Sequence, residues 1–230
     1  MITEPHILVI IPAFNEAKSI DKVIAEIPKF VRETVVVNNN SSDTTSKVAA
    51  LAGATVLDEP RQGYGYACLK GIAYAKTKQP DIIVFLDADY SDYPAEMSDV
   101  VKPIIEQNYD MVIGSRALGE KESGSMTPQQ IFGNWLATKL IRWIYNVNYT
   151  DLGPFRAIKY DKLLALEMQD TTYGWTVEMQ LKAAKQQLKT VEVPVNYRQR
   201  IGHSKVSGTF KGTIMAGYKI LSWIFKYALK

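Results

Sequence analysis

Two aspartates one residue apart, Asp87 and Asp89, end the apolar run Ile82-Ile83-Val84-Phe85-Leu86. Carboxylates so spaced at a strand end can converge on a hard divalent cation, one directly and the other through water. Mg²⁺ and Mn²⁺ prefer oxygen ligands and are often shared with substrate phosphates. A metal bridging a diphosphate would stabilise it as a leaving group. D-x-D alone is a weak pattern, and turn or cap chemistry accounts for many such sites. Here three further polar clusters follow apolar runs in the same way: Pro12-Ala13-Phe14-Asn15-Glu16, Asn38-Asn39-Asn40-Ser41-Ser42-Asp43 and Gly114-Ser115-Arg116.

The elements that must position these clusters alternate. Strands are predicted at His6–Ile11, Glu33–Val37, Ala54–Leu57, Ile82–Leu86 and Met111–Ile113. Helices are predicted at Ser19–Ile27, Thr44–Ala52, Tyr64–Thr77 and Ala95–Gln107, the last interrupted by Pro103. Strands separated by helices imply βαβ units and a mostly parallel sheet flanked by helices, an α/β fold. Ligands of such sheets sit beyond the carboxyl ends of the strands. The four clusters would therefore line one crevice.

Composition narrows the class. The chain has 230 residues, 47% of them hydrophobic and 22% charged, which suits a globular protein with a sizeable core. A net charge of +3 and the lack of a basic run interleaved with aromatics give no case for nucleic acid. One cysteine, Cys68, rules out an internal disulfide framework and fits a reducing, cytoplasmic compartment. Two histidines, His6 and His203, with no cysteine cluster make a poor transition-metal ligand set. The apolar run Ile7–Ile11 is too short for a signal peptide or a membrane span.

In order along the chain, VIIPAFNEAKSI, VVVNNNSSDTT, RQGYGYACLKGIAYA and FLDADYSDYP resemble the signature of the family 2 glycosyltransferases. The resemblance continues through TDLGPFRAI, YGWTVEMQLKAAK and VPVNYRQRIGHSKVSG, which are similar to the dolichol-phosphate mannosyl/glucosyltransferase-like branch. It implies a GT-A, Rossmann-like fold and metal-dependent, inverting transfer of a hexose from a nucleotide-diphospho-sugar, UDP-glucose or GDP-mannose. Pro12, Ala13, Asn15 and Glu16 would hold base and ribose. Asn39 takes the place of an aspartate that accepts a hydrogen bond from the base; its amide offers an acceptor and two donors. Arg61, Gln62 and Gly63 match the loop approaching the nucleotide. Asp87, Ala88 and Asp89 would meet ribose and metal (Mg²⁺ or Mn²⁺), with Asp87 and Asp89 as the ligands. Ser91 stands where relatives often carry a metal-binding glutamine.

The same resemblance implies a polyprenyl phosphate acceptor, with Arg116, Arg200 and Lys205 binding phosphate through planar forks and a point charge. Arg156 matches too, with an ion-pair role as its alternative. Gln130 and Asn134 stand where an arginine and a serine are expected, leaving room for a hydroxyl acceptor. A hydroxyl needs a general base, for which Asp151 and then Glu178 are candidates; Glu178 could equally pair with Lys182 one helical turn on. A binding module without catalysis is a third reading, opposed by the intact Asp87/Asp89 pair.

Residues 1–207 would form the transferase domain and 208–230 an amphipathic C-terminal helix, with Lys211, Lys219, Lys226 and Lys230 on one face. Such a helix suits a membrane interface, placing the protein peripherally on the cytoplasmic face. Phe132–Tyr145 is a second apolar, aromatic-rich stretch; core packing or a homodimer contact are the alternatives for both.

Overall fold

Strand β1, Ile7–Ala13, is buried along its whole length. An all-apolar strand needs cover on both faces. Leu8 and Ile10 face one core; Ile7, Val9 and Ile11 face the other. The computed structural model describes residues 4–202 and 210–228.

Six more strands join it: β2 (Glu33–Asn38), β3 (Thr55–Asp58), β4 (Ile82–Phe85), β5 (Met111–Ser115), β6 (Arg156–Lys159) and β7 (Thr190–Pro194). Their order across the sheet is β3-β2-β1-β4-β6-β5-β7. Neighbours are parallel except where β6 intervenes, antiparallel to both β4 and β5. Helices α1 (Ile20–Ala25), α2 (Thr45–Leu51) and α4 (Met97–Gln107) cover one face. Helices α3 (Tyr64–Lys78), α5 (Pro128–Tyr145), α6 (Tyr160–Ala165), α7 (Trp175–Lys185) and α8 (Phe210–Ala228) cover the other.

The expected elements up to Ser115 are all present, their ends shifted by no more than two residues. Pro103 is the correction. It does not interrupt α4, which runs unbroken through it. A proline deletes one hydrogen bond, and the buried apolar stripe of Val100, Val101 and Ile104 holds the remaining turns against the sheet.

Helix α8 is not a loose appendage. It packs on α5 and α7, and Trp223 and Ile224 enter the main core. The Trp223 indole donates to Asp170 Oδ2 at 2.5 Å. A Cβ at Gly174 would stand 2.4 Å from that ring, so only glycine admits the contact. Among the described residues no helix is long and apolar enough to cross a membrane.

The loop Asp170–Gly174 also presses on the start of α3. A Cβ at Gly65 would lie 2.0 Å from the Asp170 carbonyl oxygen, a backbone atom with little room to yield. Gly65→Ala is therefore expected to destabilise the fold by about 1–3 kcal/mol, as overpacking does, despite alanine's better helix propensity. Urea denaturation checks it; an unchanged midpoint would contradict this close packing.

Candidate active site

The carboxyl ends of β1, β2 and β4 open into a cleft of about 420 Å³. Pro12, Ala13 and Glu16 come from β1 and its exit, Asn39 from the exit of β2, and Asp87, Ala88 and Asp89 from the exit of β4. Gln62 and Gly63 close it from the loop before α3. Asn15 and Arg61 are not among the lining residues. Asn15 ties two loops together instead, its Oδ1 accepting from the Ser42 N–H at 2.8 Å. Arg61 forks onto Glu59 at 2.7 and 2.8 Å and stacks on Tyr66, holding the Glu59 carboxyl down at about 2.

Asn39 has a definite task. Its amide donates to the carbonyls of Arg61 (2.7 Å) and Glu59 (3.3 Å), and its Oδ1 accepts from the Gly63 N–H at 2.8 Å. The side chain thus clamps the whole Glu59–Gly63 loop at the mouth of the cleft.

Beyond β4 the chain turns sharply. Tyr90 adopts φ 66°, a left-handed conformation uncommon for a bulky residue and typical of functional sites. The turn is held from outside. Segment Tyr197–Ile201 lies along it through an Asp92–Tyr197 bridge and hydrogen bonds from Arg198 N to Ser91 O and Ile201 N to Asp89 O, both 2.9 Å. Arg198 packs over Tyr90 and Tyr93 and pairs with Glu26.

Three carboxylates gather here in different states. Asp89 is buried; its Oδ1 accepts from the backbone and hydroxyl of Ser91, and its Oδ2 is paired with Arg200. Burial raises Asp87, against the opposing charge of Arg200 and a hydrogen bond from the Tyr64 hydroxyl at 3.1 Å. Burial, then the charge of Asp87, pushes Asp92 up to about 7, and neither of its oxygens has a well-aligned hydrogen-bond donor. The donor set suits a hard cation, and the guanidinium of Arg200 stands at Asp89 Oδ2 as a cation would. No cluster of three or more His, Cys, Asp or Glu side chains fit to hold a metal exists among the described residues. A divalent ion on Asp87 and Asp89 would complete its shell with phosphate and water oxygens.

A second cleft, of about 540 Å³, meets the first at Asp87, Asp89 and Arg200. Arg116 sits in its floor. Its guanidinium forks onto Asp151 at 2.7 Å twice, its backbone N–H adds a third bond at 2.8 Å, and Tyr197 stacks beneath. Burial would raise Asp151, but the charge and hydrogen bonds of Arg116 prevail and hold it below the ordinary value. Asn134 fixes the loop carrying Asp151 by bonding Thr150 O and Leu152 N, both at 2.8 Å. Glu192 on β7 and Gln180 on α7 fix it further. The walls are apolar: Met126, Phe132 and Leu136 from α5 and its approach, Ile220 and Leu221 from α8.

Some expected residues lie elsewhere. Glu178 lines neither cleft. It is fully buried, accepts from the backbone of Gln169 and Asp170, and pairs with Lys182 at 2.8 Å. Arg156 is equally buried and donates to the carbonyls of Leu152, Gly153 and Thr176. It is a backbone clamp rather than an anion site or an ion-pair partner. Gln130 lines the second cleft and closes a capping box with Thr127 at the start of α5. Lys205 and His203 lie outside the described residues. Sequence reasoning missed Tyr64, Thr172 and Tyr173 in the first cleft and Tyr197 in the second. Only the turn residues around Thr171-Thr172-Tyr173-Gly174 carried any signal.

Asn39→Asp, though closer to the family pattern, is expected to weaken donor-nucleotide binding. It would set a carboxylate against two carbonyls and lose donors to both, at about 1–3 kcal/mol for buried unsatisfied groups. Titration calorimetry with UDP or GDP checks it; tighter binding would show that this residue reads the base rather than the loop. Asp92→Asn carries a pH signature. The wild-type carboxyl titrates at about 7 folded and near 3.8 unfolded, so its contribution to stability is full below pH 4 and is lost as pH rises to 7. In EDTA the variant should gain on wild type across that window and level off above it. At about 1.4 kcal/mol per pKa unit the ceiling is roughly 4 kcal/mol. Parallel stability curves in thermal melts would refute the assignment.

The chain is similar to known proteins. The profile described as glycosyl transferase family 2 matches residues 8–165. An uncharacterised glycosyltransferase of Mycobacterium tuberculosis is 34% identical over 218 residues, spanning 91% of this chain and 94% of the relative. An undecaprenyl-phosphate mannosyltransferase of Micrococcus luteus is 29% identical over 90% of each chain. Among solved structures, glucosyl-3-phosphoglycerate synthase of M. tuberculosis, crystallised with Mn²⁺, UDP and phosphoglyceric acid, superposes with a TM-score of 0.77 at 19% identity, over 97% of this chain and 78% of that one. The fold is GT-A, and the chain belongs to glycosyl transferase family 2.

Proposed function

We propose that this glycosyltransferase moves a hexose from a nucleoside-diphosphate sugar, UDP-glucose or GDP-mannose, to a polyprenyl phosphate. The observation that carries the reading is the join between the clefts. A polar cleft at strand ends shares Asp87, Asp89 and Arg200 with a cleft that has an arginine floor and apolar walls. The polar cleft suits a nucleoside diphosphate, and the other suits an anionic head on a hydrocarbon chain. The M. luteus relative, named for undecaprenyl phosphate, supports the same acceptor class. UDP is the favoured nucleotide because the solved neighbour holds it.

Asp87 and Asp89 would hold Mg²⁺ or Mn²⁺ in this reading, and the ion would supply positive charge against the diphosphate. Pro12, Ala13, Glu16 and Gly63 contact the nucleotide from the cleft wall, with Asn39 setting the loop. An acceptor phosphate oxygen forms the new bond to the anomeric carbon. The bond to the diphosphate oxygen breaks with its electron pair, on the opposite side, so configuration inverts. An acceptor that is already an anion needs orientation, not deprotonation. Asp151 is then a positioning residue that aims Arg116 at the phosphate, and Glu178 supports the loop that carries Thr172 and Tyr173.

The apolar cleft opens between α5 and α8, whose outer faces expose Phe132, Trp135, Trp143, Tyr218 and Phe225, with Trp143 81% exposed. These faces lie against the surface of a membrane, which presents the acceptor head while the chain stays peripheral on the cytoplasmic side.

A radiolabel transfer assay tests the reading, with either donor, Mg²⁺ or Mn²⁺, and a short polyprenyl phosphate. Label should enter the organic phase. Asp89→Ala should abolish transfer, and Arg116→Ala should lower kcat/KM by about 10²–10³-fold, as loss of one preorganised charge partner does. Donor hydrolysis without lipid product would move the acceptor to a hydroxyl compound, for which Gln130 and Asn134 in the second cleft leave room.

A further inference from the structure

Arg200 stands where the two clefts meet, and its partner is the carboxylate that a metal would need. Asp89 Oδ1 is already committed to Ser91, so Oδ2 is its cleft-facing oxygen, and Arg200 holds it. The main chain of Arg200 is fixed by the backbone bonds on either side, at Arg198 and Ile201. The side chain is less constrained. It is 30% exposed, reaches both clefts, and its Nε is buried without a hydrogen-bond partner. A fork with one prong on a carboxylate and another donor unmatched is ready for a second anion.

From this geometry we infer that Arg200 is a resident counter-ion of Asp89, which a divalent metal must displace before catalysis. The inference rests on the metal reading above. Two cations cannot share Asp89 Oδ2 at contact distance in a site this dry without strong repulsion. Nor can Arg200 simply leave, because Asp87, Asp89 and Asp92 would then face one another, with Arg116 the arginine that still opposes Asp87 and Asp92 among the described residues. A bare metal ion therefore competes against an ion pair already in place. A metal that arrives with a nucleoside diphosphate does not, because its phosphates offer the displaced guanidinium new acceptors. Arg200 then turns toward the second cleft, where an acceptor phosphate would lie. Donor and metal load together and first; the acceptor phosphate meets a freed arginine second.

Mn²⁺ binding measured by electron paramagnetic resonance tests this on the intact chain, with no turnover needed. Wild type should bind Mn²⁺ alone weakly and much more tightly with UDP present. Arg200→Gln should bind Mn²⁺ alone about tenfold tighter or more, because a buried charge pair no longer opposes it, and UDP should add correspondingly less. Arg200→Lys keeps a competing charge and should stay near wild type, which separates the effect from a general change in the fold. Asp89→Asn should abolish binding in every background. Equal or weaker Mn²⁺ binding by Arg200→Gln, still lost in Asp89→Asn, would overturn the counter-ion role and leave the metal site standing. Failure of wild type and Arg200→Gln alike to bind Mn²⁺, even with UDP, would overturn both.

Discussion

Four aspartates stand near one another at a single buried edge of the sheet: Asp87, Asp89, Asp92 and Asp151. Like charges in a region of low dielectric repel strongly and cannot all ionise without compensation. The architecture around them divides the compensation unevenly. Arg116 neutralises Asp151 with three bonds, and Arg200 neutralises Asp89. Asp87 has a tyrosine hydroxyl and the opposing charges of Arg200 and Arg116, and Asp92 has no well-aligned partner. The result is a graded series, from a carboxyl held firmly ionised to one raised to about 7. Among the described residues, the loops around this edge are fixed by clamps, side chains that bond backbone groups.

Those clamps are a second layer of order. Two asparagines perform the same task in the two clefts: Asn39 spans the Glu59–Gly63 loop, and Asn134 spans Thr150–Leu152. Each bonds carbonyl and N–H groups that a loop near a cleft would otherwise leave unpaired. Glu178 accepts from N–H groups with its two carboxylate oxygens, and Arg156 donates to carbonyls. Residue types that look catalytic in a sequence are here used to hold backbone.

That explains what was legible and what was not. The strands and their polar exits could be read because periodicity and turn chemistry are local. Asp87 and Asp89 emerge at the right edge for the same reason. The pairing of Glu178 with Lys182 could be read from helical spacing, but its backbone partners and those of Arg156 could not, because they lie on loops that only the folded chain brings near. Nothing in GWTVEMQ says that Glu178 points at the backbone of Gln169. The continuity of α4 through Pro103 was likewise decided by tertiary packing. Arg200 was expected as a phosphate-binding cation, whereas its pairing with Asp89 follows from how Tyr197–Ile201 lies against the turn after β4.

Strand β6 runs against its neighbours, and this divides the molecule in an unexpected way. In a wholly parallel sheet every site loop leaves a strand. Here the Asp151–Gly153 loop enters one, wedged between the exits of β4 and β5. One side, the first cleft, is built mostly from the first half of the chain, on the exits of β1, β2 and β4, with Thr172, Tyr173 and Arg200 added from later segments. The other side is built almost wholly from later segments, on the entry to β6, the exit of β5, and helices α5 and α8. Among the described residues the two clefts share Asp87, Asp89 and Arg200. A change confined to the later segments can therefore reshape the second cleft while the strand exits of the first stay as they are.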